Sequence, residues 1–381
     1  MKISMMILFS FAIWSCNLLT TPDDTLNSNN KMKLLWEIPY EMVGSSIKAV
    51  PLIFGDSLVI MSAGKEIVAV EQATGKIRWK SFVSNETNIQ NGEFATDGKK
   101  IYATHVEDIR AINISDGTLA WLISMPSERG GFWTKHPVVR DNKLFVVGRY
   151  TVYCLNAETG QIQWSKFLYD LLGSPIYYLN SVIVSGVRGR YDSTKNIIGT
   201  IDSIYSLDVS TGNIVWTNGS KGDGRLNKMV IENEIIYGGT KFPWSSASFE
   251  AFNAATGERI WSYYTPNEGW DYNDCVIAGD KIIANTGPYW VSAFNKSNGA
   301  LLWRTFVKEN ADSWNVHYYN GYIYHPQGGR LYILDPNDGK IVYSQVGPKN
   351  QTTETMAAGN GKVFVCGHPT LQCYEVYKPE K

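Results

Sequence analysis

The sequence predicts an all-β protein, an eight-bladed β-propeller of four-stranded antiparallel blades closed by its N-terminal strand. Three observations lead there. An eleven-residue phrase returns seven times. Each copy turns at a Gly and ends on an aromatic residue four positions later. The first apolar strand, Leu34-Leu-Trp36-Glu-Ile, has no companion strands before it, and the last copy stops where its closing strand should follow. A fixed period of this length marks an array of identical small sheets.

Composition agrees. The 381 residues are 44% hydrophobic and 19% charged, enough to bury a large core. The 34 Gly, 22 Tyr and 13 Trp favour turns and strands over helices. The 35 Lys plus Arg and 36 Asp plus Glu leave a net charge of -1, and no basic run occurs, which argues against nucleic acid as a partner.

The N-terminus reads as a targeting segment. Lys2 precedes the apolar stretch Met5 to Trp14, too short for a permanent span and fitting a secretory signal. Ile13-Trp14-Ser15-Cys16 resembles a bacterial lipobox, which implies removal of residues 1–15 and lipidation of Cys16. Residues 16–32 are polar and aperiodic, as in Thr21-Pro-Asp-Asp-Thr and Asn27-Ser-Asn-Asn, and read as a flexible tether. The expected propeller spans 33–378.

The phrase runs Ala69–Trp79, Ala111–Trp121, Cys154–Trp164, Ser206–Trp216, Ala251–Trp261, Ala293–Trp303 and Ile333–Tyr343. Its glycines, Gly75, Gly117, Gly160, Gly212, Gly257, Gly299 and Gly339, are 42, 43, 52, 45, 42 and 40 residues apart. Within a copy an apolar strand ends at a polar residue, Gly supplies the positive φ of a tight reversal, and a second strand carries the Trp. Two further strands precede each phrase, as in Asn142-Lys-Leu-Phe-Val-Val and Asp280-Lys-Ile-Ile-Ala-Asn. Cys373-Tyr-Glu375 repeats the start of the phrase without its second half, so the N-terminal strand completes an eighth blade and removes the open edge.

This pattern resembles the quinoprotein-type, PQQ-like repeat propeller family. The resemblance implies that the Trp of each blade docks on the next and belts the ring, with Trp36, Trp79, Trp121, Trp164, Trp216, Trp261, Trp303 and Tyr343 in that role. Blade count and lipobox are similar to those of the BamB family of outer-membrane assembly lipoproteins. That likeness implies a monomeric scaffold, lipid-anchored in the bacterial envelope, that docks proteins of the barrel-assembly machinery.

Two groups are candidate sites. The Gly turns lie on one face, so variable loops collect on the other. The 52-residue step comes from an insertion at Arg188 to Asn196, read as a long loop, and Lys241 to Ser246 is a second long connection. Trp133, Trp244, Trp270, Tyr289, Trp290 and Trp314 map to loops of the variable face, where they either staple the loops together or bind a ligand, a glycan or a protein. The equivalent starts of the innermost strands include Glu93, His136, Lys228, Asp274 and Asn315, which should ring the mouth of the central channel. Glu93, Asp274 and Asn315 offer oxygen ligands of the kind Ca²⁺ takes, while a solvated channel is the plainer reading. No catalytic residue, metal or cofactor is assigned. The competing readings are a PQQ- and Ca²⁺-dependent dehydrogenase and a glycan-binding surface lipoprotein. Against the first, the chain lacks the adjacent Cys-Cys pair of alcohol-oxidising members of the family. Cys366 and Cys373 are close enough in sequence for a bridge across a hairpin, though none is required.

Overall fold

The computed structural model describes residues 19–20, 32–39, 50–63, 65–83, 94–105, 108–125, 136–168, 171–191, 197–219, 225–241, 247–265, 272–287, 289–307, 315–346, 352–368 and 370–379. Eight antiparallel sheets account for the ring. In chain order they are blade 1 (52–82), blade 2 (95–124), blade 3 (138–167), blade 4 (171–218), blade 5 (225–265), blade 6 (272–306), blade 7 (317–346) and blade 8 (352–375). Blade 8 takes its outer strand from the other end of the chain: Leu34–Pro39 pairs antiparallel with Thr370–Glu375, Trp36 opposite Cys373.

Burial explains the patterning. The second strand of blade 1, Leu58–Ala63, is buried at nearly every position because blades cover both its faces. The outer strand Ile77–Phe82 alternates buried and exposed, since only one face meets a neighbour. Hydrophobic clusters join successive blades rather than filling single ones. Phe145, Val152 and Cys154 of blade 3 pack with Val182, Val184 and Leu207 of blade 4. The cluster of Val59, Met61, Val68 and Val70 with Phe364, Leu371 and Cys373 joins blade 1 to blade 8 and closes the circle. Each such side chain, fully buried, contributes about 1.5–3 kcal/mol.

The belt has one repeated geometry. The indole N–H of Trp36, Trp79, Trp121, Trp164, Trp216, Trp261 and Trp303 donates to a backbone carbonyl of the next blade, at 2.7–3.2 Å. The acceptors are Gln72, Ile114, Ala157, Val209, Ala254, Lys296 and Pro336. The turn Gly of that next blade lies against the indole. Gly117 has φ +74°, and a Cβ there would sit 2.6 Å from Trp79 Cε3. Gly is thus required twice over, for its backbone angle and for the ring pressed on it. Tyr343 ends the series differently. Its hydroxyl accepts from Met32 N at 3.1 Å, and its ring stacks on Tyr377 with centroids 5.7 Å apart.

Four features depart from the simplest repeat. The insertion before the fourth phrase lengthens a hairpin instead of forming only a loop: Ser181–Tyr191 pairs with Ile197–Asp208 as far as Tyr191 opposite Ile197. The returning strand is rich in β-branched residues, with Ile197, Ile198, Thr200, Ile201 and Ile204, which favours its extension. The inner strand of blade 4 is broken into Leu171–Leu172 and Ile176–Tyr178 around Gly173-Ser-Pro175, where Pro has no N–H for the ladder. Leu19–Thr20 runs parallel to the outer strand of blade 6, beside Arg304 and Thr305. Finally, Cys366 and Cys373 are both buried and in no disulfide. The register sets Cys366 opposite Leu371 and Cys373 opposite Phe364, so the two do not face each other and the bridge is not formed. Among the described residues no helix is long and apolar enough to cross a membrane.

Candidate functional site: the polar positions near the axis

The innermost strands enter their blades through irregularities at equivalent places. Pairing slips between Leu226 and Met229 in blade 5, between Tyr272 and Asp274 in blade 6, and between Thr353 and Thr355 in blade 8. A bulge re-aims a side chain and leaves its backbone groups for other partners. Lys228, Asp274 and Thr355 sit at these slips, and Ser174 sits in the break of blade 4.

Those side chains bond from blade to blade. His136 N donates to Ser174 Oγ at 3.2 Å. Lys228 Nζ lies 3.1 Å from Asp274 Oδ1, with Asp274 almost wholly buried and Lys228 partly exposed. The same Oδ1 accepts from Cys275 N at 2.7 Å, and Oδ2 accepts from Val316 N of the next connection at 3.1 Å. Asn315 Nδ2 donates to Thr355 Oγ1 at 3.0 Å and to Met356 O at 3.1 Å, and lies 3.1 Å from His317 Nε2. Blades 5 to 8 are thereby linked through one chain of polar contacts.

His325, wholly buried, was not legible in the sequence. Its Nδ1 is 3.2 Å from Asn315 O and its Nε2 is 2.7 Å from Gln327 Oε1. Burial, the largest influence, holds its pKa below the ordinary value, although both oxygens and the Asp274 charge favour the proton. Blade 5 hides a second group: Glu250, fully buried, takes a hydrogen bond from Ser248 Oγ at 2.7 Å and pairs with Arg259 at 3.4 Å. Each has one partner two residues along its own strand, Gln327 or Ser248, and one from elsewhere in the chain, Asn315 or Arg259.

The oxygen set at Asp274 does not suit calcium. That ion takes six to eight oxygens with lone pairs directed at it. Here one carboxylate oxygen faces an ammonium and an N–H, and the other faces an N–H. A lysine this close repels a dication. Among the described residues no three His, Cys, Asp or Glu side chains gather as a metal site.

The aromatic group is only partly visible. Trp133, Trp244, Trp270, Trp314 and also Glu93 lie outside the described residues. Tyr289 and Trp290, both half-buried, pack on Phe306 of the outer strand, with centroids 5.8 and 5.2 Å away. The Arg304 guanidinium stands 4.6 Å from the centre of the Trp290 ring, so one face of that indole is already covered.

A family model described as outer membrane protein assembly factor BamB matches residues 25–129, 105–274, 185–317 and 288–375. The outer membrane protein assembly factor BamB of Yersinia pestis is 22% identical over 302 residues, 73% of this chain and 72% of that protein. The tetrathionate hydrolase of Acidithiobacillus ferrooxidans is 24% identical over 339 residues, 82% of this chain, and the match spans 60% of the enzyme's length. The quinohemoprotein alcohol dehydrogenase of Comamonas testosteroni superposes with a TM-score of 0.71 at 13% identity, over 95% of this chain and 79% of that structure. At that identity the likeness is one of fold.

Proposed function

Because the chain belongs to the family of the outer membrane protein assembly factor BamB, we propose that it is a non-catalytic scaffold of the bacterial envelope. In this reading it is held to a membrane by lipid on Cys16, and it docks protein partners, those of the barrel-assembly machinery first among them. One observation carries the non-catalytic part. The buried carboxylate of Asp274 is engaged by Lys228, Cys275 N and Val316 N, so it is no poised base and no calcium ligand. The Asn315 amide is likewise held by Thr355 and Met356. These groups lock blades together, which supports the scaffold reading.

The kinship with a hydrolase and the shared fold with a dehydrogenase set the alternative. An enzyme on this frame would draw its chemistry from residues outside the near-axis contacts. The test is purification of the full chain from membranes in mild detergent, followed by mass spectrometry of proteins and small molecules. Barrel-assembly proteins should co-purify, and Cys16→Ala should move the chain to the soluble fraction. A bound quinone with substrate turnover, or a soluble chain without partners, would overturn the proposal.

A further inference from the structure

Two-residue turns join the first and second strands of blades 3 to 8. Pairing brackets each one: Arg140 with Lys143, Tyr178 with Ser181, Glu232 with Ile235, Ala278 with Lys281, Tyr319 with Tyr322 and Gly359 with Lys362. A reversal this tight places its first residue at positive φ, which suits Gly, Asn or Asp. Asp141, Asn233, Gly279, Asn320 and Asn360 follow that rule, with φ of 48°, 47°, 64°, 51° and 53°. Blade 4 breaks it with Leu179, at φ 49°. A bulky side chain in the left-handed region is strained. Leu179 is also 67% exposed, more than any other large apolar side chain among the described residues. Among the described residues Leu179 joins none of the hydrophobic clusters that could offset this strain.

The surroundings give the position a character. Tyr177 lies within electrostatic reach of Asp141 and Arg140 of blade 3, and Tyr178 within that of Glu234 of blade 5. The turns of three successive blades therefore form one row with Leu179 at its centre. Ile214 and Val215, at the start of the outer strand of blade 4, are 44% and 58% exposed. Arg140 lies 4.0 Å from Asp141, a near-neutral pair. Among the described residues these turns also carry Lys143 and the carboxylates of Asp141, Asp208, Glu232 and Glu234, with Lys296 paired to Glu232.

We propose that Leu179, flanked by Tyr177 and Tyr178, anchors a protein-docking site on the short-turn face of blades 3 to 5. Its partner is a segment whose apolar side chains are flanked by Lys or Arg. Tyrosines are enriched at the centres of interfaces, an exposed apolar side chain beside them adds area to bury, and the acidic surplus selects the charge of the rim. This inference rests on the scaffold reading and names the face and the partner's chemistry.

The test is photo-cross-linking in cells with p-benzoylphenylalanine in place of Asn180, beside the anchor, or of Asp280, its counterpart on blade 6. The Asn180 probe should give a discrete adduct whose mapped peptide carries apolar residues beside Lys or Arg. Adding Leu179→Asn should cut the adduct at least tenfold while raising the melting temperature, because Asn accepts the turn's backbone angle. An equal pattern from both probes, an acidic mapped peptide, or an adduct insensitive to Leu179→Asn would overturn the proposal. So would no adduct from Asn180. If the chain still co-purifies with envelope proteins in that case, the scaffold reading stands and only this site falls.

Discussion

Two glycines of blade 2 measure the Trp belt separately from backbone strain. Gly117 has φ +74° and Gly98 has φ +88°. Alanine at either site takes on the left-handed penalty of about 1–2 kcal/mol. Around Gly98 nothing lies within 4 Å of an added Cβ. At Gly117 the same atom meets three carbons of the Trp79 indole at 2.6, 2.7 and 3.0 Å. The indole cannot withdraw freely, because its N–H is tied to Ile114 O at 2.7 Å and its ring is buried. Overpacking of that kind adds about 1–3 kcal/mol. Gly117→Ala should therefore lower stability by about 2–5 kcal/mol and Gly98→Ala by about 1–2 kcal/mol. Urea unfolding followed by tryptophan fluorescence reads both. Equal losses, within the roughly 0.5 kcal/mol that separates independent sites, would refute the claim that turn glycines and belt rings are one packing unit.

Three further outcomes are expected. Asp274→Asn should destabilise the ring by about 1–3 kcal/mol, since it strands Lys228 and weakens the contact to Val316 N, while added Ca²⁺ leaves the melting temperature of the wild type unmoved; a calcium-dependent rise would restore the metal reading. His325 has a folded pKa held below its ordinary 6.5, so below that pH the unfolded chain binds a proton the native state refuses. Stability should fall on acidification from about pH 6.5 by up to about 1.4 kcal/mol per pH unit, and His325→Gln should flatten that slope in melts across the pH range. Burial pushes the Cys154 and Cys373 thiols up to about 11 and about 12, and Cys275 and Cys366 are buried too. A thiol reagent should find these four only after unfolding, and a fast-reacting fifth would show Cys16 unmodified.

What the sequence reveals here is what repeats. The Gly and Trp of each phrase recur because every blade meets its neighbour in the same way, so blade count and closure can be read from spacing, and the belt follows from the family resemblance. The inner-strand positions also align, and Lys228, Asp274 and Asn315 do bond from blade to blade. Their partners could not be read, because a bulge decides where each side chain points and a bulge leaves no periodic mark. His325 and Glu250 were missed for a related reason: His325 stands where Met61, Val146, Val184 and Val365 stand in other copies, Glu250 stands where the copies already vary between apolar and polar residues, and Asn315 and Arg259, which meet them, are visible only in the folded chain. The missing bridge between Cys366 and Cys373 turns on a register detail that sequence separation does not carry. Leu179 was legible in principle, since every equivalent turn begins with Asp, Asn or Gly, but its turn lies outside the phrase that draws attention.

The two faces of the ring answer different demands. Loops on one face vary in length, and relatives with such different activities as tetrathionate hydrolysis and outer-membrane assembly share the frame beneath them. That is expected where function is grafted onto a scaffold rather than built into it. The short-turn face is under the opposite constraint, because each residue there must hold a reversal that the belt depends on. A departure on the constrained face is therefore more telling than one on the variable face. Asp274, buried and fully engaged, serves the ring. Leu179, strained and exposed at a place where seven other blades keep to small or polar turn residues, serves something that the ring by itself does not contain.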